Sequence, residues 1–253
     1  MPAYYWIQLY KDPTEIPIKT VIQGTCDGLI EAGCQYQFSY ITNIEEESLP
    51  QGKQITKREN TGIAIDEAIN YTTQDLEIWR TTQKTKKCLP GITMIFSFDF
   101  QFDEEMERTF TSQTAKEVRQ VKLDFWIDED KFYEQRIVVN LTTWEEYVLM
   151  YGQTKTHEHN KREILKIVTC ICSQILPYYG WLDGEFYGFD ESYESIDTDN
   201  WSISDEFVVV GPQLINKLSK HNLKKASNLV QILENGCLIL TYPSADVKNE
   251  LFS

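Results

Sequence analysis

Between residues 18 and 30 the apolar side chains Ile18, Val21, Ile22, Cys26, Leu29 and Ile30 recur every three to four positions, the spacing of one face of an α-helix. The pattern predicts an amphipathic helix over roughly residues 15–32, stopped by Gly33. Gly24 and Gly28 lie inside it, and each weakens a helix by about 1 kcal/mol relative to alanine, so packing has to hold it together. Upstream, "YYWIQLY" alternates around Tyr5, Ile7 and Leu9 and predicts a strand, broken by Asp12-Pro13. Downstream, "CQYQFSYI" sets Cys34, Tyr36, Phe38 and Tyr40 on one face and Gln35, Gln37 and Ser39 on the other, a half-buried strand.

Residues 43–61 are polar and turn-rich and read as a loop, and 62–72 as a short helix or strand. "DLEIWRTTQ" and "GITMIFSFDFQF" predict a hairpin around Cys88-Leu89-Pro90-Gly91, the second strand carrying Ile92, Met94, Phe96, Phe98, Phe100 and Phe102 on one face. A charged linker, "DEEMERTFTSQTAKE", leads to "VKLDFWID" and "RIVVNLTTW", which alternate as a second hairpin. Ile164, Ile167, Val168, Ile171, Cys172 and Ile175 mark another amphipathic helix, with Thr156 as its N-cap and Pro177 at its end. A strand "EFVVV", helices over about 212–219 and 222–233, and a closing strand "GCLILTY" follow. The pattern is α+β: mainly an antiparallel twisted sheet with helices packed largely on one face. It reads as a single domain, 1–253, with possible halves 1–103 and 117–253 joined by the charged linker. Both long helices are followed by a glycine and an aromatic strand (Gly33, Gly180). A duplicated unit would give this echo, but glycine is common where a helix passes into a strand, and coincidence is the preferred reading.

Composition sharpens the picture. Hydrophobic content of 42% and aromatic content of 13% describe a folded globule. The net charge of −15 repels phosphates and anionic surfaces, which argues against direct nucleic-acid or membrane binding. Basic partners are favoured instead, although acidity also serves solubility. The first residues lack the basic-then-apolar pattern of a signal peptide, and no run approaches the roughly 18 apolar residues of a membrane span. A cytoplasmic protein is expected, its six cysteines reduced and mostly buried as small hydrophobes.

Motifs that carry chemistry are scarce. The histidines of "HEH" (157–159) point about 200° apart on a helix and would not share an ion. Cys170 and Cys172 fall on an apolar helical pattern, where a core role outweighs a zinc site. Glu145-Glu146 and the acids of 183–206 could supply a general acid and base, as in a hydrolase, but in a chain with 39 acids such pairs arise by chance. "DESYESIDTDN" resembles part of a calcium loop but lacks its glycine and closing glutamate. No catalytic residue, cofactor or metal is therefore assigned.

One stretch stands out. "ILPYYGWLDGEFYGFDESYE" (175–194) packs seven aromatics and five acids into twenty positions, and no basic side chain occurs from Ile167 to Asn216. Trp181 and Phe186 read as core residues of a strand. Asp183, Glu185, Tyr187, Asp190, Glu191, Tyr193, Glu194, Asp197 and Asp199 are the candidate partner-binding residues, rings supplying contact area and carboxylates steering a basic protein. An enzyme of unrecognised type using paired carboxylates and a structural or regulatory subunit of a complex are the alternatives.

The passage "ILPYYGWLDGE", with "FVVVGPQLINKLS" and "NGCLILTY" after it, resembles the C-terminal half of bacterial immunity proteins that accompany polymorphic or type VI-secreted toxins. The resemblance covers roughly residues 120–242. It implies a cytosolic, non-enzymatic protein that binds a cognate toxin and blocks its active site. Such families share no universal binding residues, so it assigns none.

Overall fold

The computed structural model describes residues 4–11, 16–45, 55–60, 62–82, 92–102, 104–109, 119–128, 136–144, 155–183, 207–212 and 230–241. Helix α1 (Ile18–Glu31) starts after Pro17, whose carbonyl accepts from the Thr20 and Val21 N–H groups at 2.8 and 3.3 Å. It ends in a Schellman turn. Gly33, at φ +99°, donates to the Ile30 carbonyl, and the Cys34 N–H reaches back to that of Leu29. Ile18, Val21, Ile22, Cys26 and Leu29 are buried, as their spacing predicts, whereas Ile30, counted with them, is exposed. Helix α2 runs Ile65–Thr82, α3 Glu104–Thr109 and α4 Lys155–Ile175.

The glycines of α1 have a packing role. A Cβ on Gly28 would lie 2.7 Å from Ile171 Cα and 2.8 Å from its nitrogen; one on Gly24 would lie 2.9 Å from Ile175 Cγ2. Residue 24 therefore faces 175 and residue 28 faces 171, so α1 and α4 run antiparallel with backbones almost touching. Helix α2 packs along α1 as well, giving a helix layer in the order α2–α1–α4.

Ten strands form one sheet beneath it: β1 (Tyr4–Lys11), β2 (Gln35–Glu45), β3 (Ile55–Asn60), β4 (Ile92–Ser97), β5 (Gln120–Asp128), β6 (Arg136–Trp144), β7 (Tyr179–Asp183), β8 (Phe207–Val210), β9 (Val230–Ile232) and β10 (Leu238–Thr241). Their order is β3-β2-β4-β5-β6-β1-β7-β8-β10-β9, every neighbouring pair antiparallel. The architecture is α+β. Strands β6 and β7 both flank β1, so they run parallel to each other, and α4 carries the chain between them. Met94, Phe96, Leu123, Phe125, Ile137, Val139, Leu141 and Val209 join the helices in the main core.

Several expectations need correction. Residues 75–82 are helical, not a strand: Ala68, Ile69, Thr72 and Leu76 are buried at helical spacing, and this face outweighs the β-formers nearby. The expected hairpin turn at Cys88–Gly91 lies outside the described residues; the strand after it ends at Ser97 rather than continuing to Phe102, and it pairs with β2 and β5. Part of the expected loop at 43–61 is strand, since β2 extends to Glu45 and pairs with β3. Thr156 lies inside α4 rather than capping it, and residues 230–232 are strand β9 rather than the end of a helix.

The alternation in β2 also flips. A bulge at Gln37 shifts the register between Tyr36↔Phe96 and Phe38↔Ile95, turning Phe38 and Tyr40 to the far face and Ser39 into the core. The Tyr36 hydroxyl donates to the Ile63 carbonyl at 2.9 Å, so the buried Ser39 hydroxyl donates to Tyr36 at 2.8 Å. Phe38 and Tyr40 meet edge-to-face, ring centres 4.9 Å apart.

Four of the five described cysteines are buried; Cys170 is half-exposed, and Cys88 lies outside the described residues. Burial pushes the Cys34 thiol from 9.0 up to about 12, with Lys166 opposing and Cys170 and Glu163 adding to the rise.

Gly28→Ala is expected to destabilise by about 2 kcal/mol in urea unfolding, since overpacking against the Ile171 backbone exceeds the helix-propensity gain. Gly24→Ala, facing only a side-chain methyl, should cost less; a stabilised Gly28→Ala variant would contradict the close approach. For Cys34, the folded state binds the proton more tightly than the unfolded state. Its stabilisation is full below pH 9 and falls as pH rises toward about 12. Thermal melts from pH 8 to 11 should show that decline, shallower in Cys34→Ser.

Candidate functional site

Of the nine candidate partner-binding residues, Asp183 lies among the described residues, as the last residue of β7 opposite Trp6 of β1. Glu185, Tyr187, Asp190, Glu191, Tyr193, Glu194, Asp197 and Asp199 lie outside them. The attachment of the acidic stretch is well defined. It joins β7 to β8, and the last pair of that hairpin is Leu182↔Phe207. Its two ends therefore leave the sheet about one strand spacing apart, roughly 5 Å.

Topology decides what else leaves from there. Because every neighbour is antiparallel, β6 and β7 finish where β5 and β8 begin, and β4 finishes beside the start of β5. Three acid-rich connections attach at this end of the sheet, which the starts of β2 and β9 and the ends of β3 and β10 also share: 98–119 between β4 and β5, 145–154 between β6 and α4, and the acidic stretch from Asp183 to Glu206. They contain six, two and nine acids against Arg108, Lys116 and Arg119 as bases, a net −14 within the three, while the stretch that enters β9 at the same end carries Lys217, Lys220, Lys224 and Lys225. Antiparallel pairing thus attaches these three acid-rich connections at one end of the sheet.

The first of these connections is anchored firmly. Asn160 of α4 is fully buried and brackets the backbone of Gln101, accepting from its N–H and donating to its carbonyl, both at 3.0 Å. Phe98 and Phe100 stack edge-to-face with centres 4.5 Å apart, and Arg119 lies 4.2 Å over the Phe102 ring. The Phe98 N–H bonds the Arg119 carbonyl at 2.8 Å and closes the base of the connection.

A second polar feature crosses the sheet face away from the helices. Thr93, Asp124 and Asn140 stand in one cross-strand row. Thr93 donates to the Asp124 carboxylate at 2.5 Å, and Asn140 donates to Thr142 at 3.2 Å. Asn140 is 1% exposed, and Ile95, Val138 and Val210 on the same face are equally sealed. The sequence pattern marks these positions as the wet side of alternating strands, so their burial was missed. The polar residues set among valines in "RIVVNLTTW" were the available signal. Among the described residues no cluster of three or more His, Cys, Asp or Glu could hold a metal ion, and no helix is long and apolar enough to cross a membrane.

No protein-family model and no curated protein matches the chain. Among solved structures, the Pseudomonas aeruginosa T6SS protein PA0821 is similar at 8% identity and TM-score 0.42, over 98% of this chain and 73% of that one. Ara h 8.0201 is similar at 16% identity and TM-score 0.26, over 68% of this chain and 98% of that one.

Asn160→Ala is expected to lower stability by about 2 kcal/mol, because it strips two bonds from backbone groups next to a sealed site. Amide exchange at Gln101 should accelerate more than at Leu123 in the central sheet. Equal protection in variant and parent would remove Asn160 as the anchor.

Proposed function

We propose that this protein is a non-enzymatic binding module of immunity or inhibitor type, and that the acidic end of its sheet engages a basic partner protein such as a toxin. The observation that carries the reading is the collection of a net −14 on three connections attached at one end of the sheet. Carboxylates gathered this way act together on an approaching cation, raising the association rate of a basic partner and repelling acidic ones. The aromatics of the acidic stretch, Tyr187 and Tyr193 among them, supply contact area once the partner is steered in. The resemblance of "ILPYYGWLDGE" and "FVVVGPQLINKLS" to immunity proteins points the same way, since a toxin acting on nucleic acid presents a basic cleft that carboxylates can fill.

The test uses two baits in native lysate, the parent chain and a variant with Asp190, Glu191, Glu194 and Asp197 replaced by lysine. The parent should retain a basic protein at low salt and release it at high salt, while the variant fails to retain it at an unchanged thermal midpoint. Association of the purified pair should slow at least about tenfold as salt screens the charges. Equal retention by both baits would sink the assignment of the site.

A further inference from the structure

Two cysteines far apart in the chain are brought together where the last hairpin meets the helix layer. Cys172 lies near the end of α4, and Cys237 follows the β9–β10 turn; both are fully buried. One side-chain amide ties their backbones together. Asn235 Nδ2 donates to the Cys172 carbonyl at 2.8 Å, while Asn235 Oδ1 accepts from the Cys237 N–H at 3.0 Å. The turn carrying Cys237 is closed by its own bonds, Leu233 N–H to the Cys237 carbonyl and Gly236 N–H to the Leu233 carbonyl, each 2.9 Å. Gly236 at φ +84° makes that turn possible. Both side chains lie sealed in the same core beside the Asn235 bridge, and burial, with the neighbouring Cys237, raises the Cys172 thiol well above its usual value.

The other cysteines do not share the arrangement. Cys170 is half-exposed and stands about 200° around the helix from Cys172, on the side of Lys166 and Cys34. No third ligand joins the pair among the described residues, so its geometry is that of a dithiol rather than a metal site.

We propose that Cys172 and Cys237 are a redox pair that closes to a disulfide linking α4 to the β9–β10 turn when a small-molecule disulfide is present. In the first exchange one cysteine thiolate attacks a sulfur of that oxidant, its sulfur–sulfur bond breaks, and one small thiol leaves carrying a proton. The second cysteine sulfur then attacks the mixed disulfide, forms the Cys172–Cys237 bond and releases the other small thiol. The oxidant gains two electrons and two protons, and the protein loses the same. Burial keeps the Cys172 thiol protonated and slow and seals Cys237 from solvent, so exchange proceeds through transient opening of the Leu233–Cys237 turn. The covalent ring encloses β7, β8, β9 and the whole acidic connection. The proposal goes beyond the binding reading and does not depend on it.

The native full chain is incubated with oxidised glutathione, remaining thiols are blocked with N-ethylmaleimide, and the unreduced digest is analysed by mass spectrometry. A cross-linked peptide joining Cys172 to Cys237, lighter by two hydrogens, is expected, and the oxidised chain should melt about 10 °C higher, reversibly with dithiothreitol. Cys237→Ala should give neither the cross-link nor the rise. Recovery of Cys172 and Cys237 as free thiols after Cys170 is fully glutathionylated overturns the proposal, as does a cross-link from Cys172 to any other cysteine. The parent chain decides the matter by itself, whatever the variant's stability. Disulfide formation is read without a partner present, so loss of the acidic-end reading leaves this result intact.

Discussion

The contact between Gly28 and the backbone of Ile171 is the constraint on which the rest of the molecule depends. With a Cβ-to-Cα distance of only 2.7 Å available, no side chain fits, and α1 and α4 lie closer than two ordinary helices would. That closeness sets the two helices side by side, and the strands that feed them, β1 and β6, are the two central strands and pair with each other in register from Tyr4↔Trp144 to Lys11↔Ile137. Ile171, Val168 and Cys172 on one helix and Val21, Ile22 and Cys26 on the other then fill one continuous core. The internal echo in the sequence falls on the passages that follow the two helices, from α1 to β2 and from α4 to β7. Their continuations differ, since α4 delivers the chain to β7 beside β1, whereas α1 delivers it to β2 beyond β6, β5 and β4.

Strand order has an electrostatic consequence as well as a packing one. In an antiparallel sheet each connection is committed to one end, and here the acid-rich connections fall together. Carboxylates dispersed around a surface would be screened separately over about 8 Å at physiological ionic strength. Gathered at one end they act jointly on an approaching charge. The same crowding opposes compaction there. The bracket of Asn160 around Gln101 and the Phe98–Arg119 bond hold the base of one such connection against it.

The far face of the sheet shows why alternation alone does not identify a wet surface. Lys122, Asp124 and Trp126 alternate with Leu123, Phe125 and Ile127, which by pattern makes the first set solvent-facing. Yet Asn140 beside them is sealed and Asp124 is bonded to Thr93, so the polar groups there are satisfied within the sheet. Such a strip specifies register, since a one-residue slip would bury Lys122 and Asp124 among the phenylalanines of the core.

The sequence by itself determined the elements whose periodicity is long and unbroken: α1, the C-terminal two-thirds of α4, and strands β1, β4, β5 and β6. In each the spacing of apolar residues is the physical cause of the fold, so it can be read without coordinates. It also determined the acid-rich composition of 183–206 and the absence of basic residues around it. Tertiary structure decided what depends on contacts between distant residues. Helix α2 won over a strand because its buried face has α1 and the sheet to pack on. The Gln37 bulge reversed the faces of β2 because β4 imposes its own register. Gly24 and Gly28, which weaken a helix when read locally, are required by a neighbour almost 150 positions away. The gathering of the acidic connections at one end follows from strand order, a property of pairing that no local stretch of sequence contains.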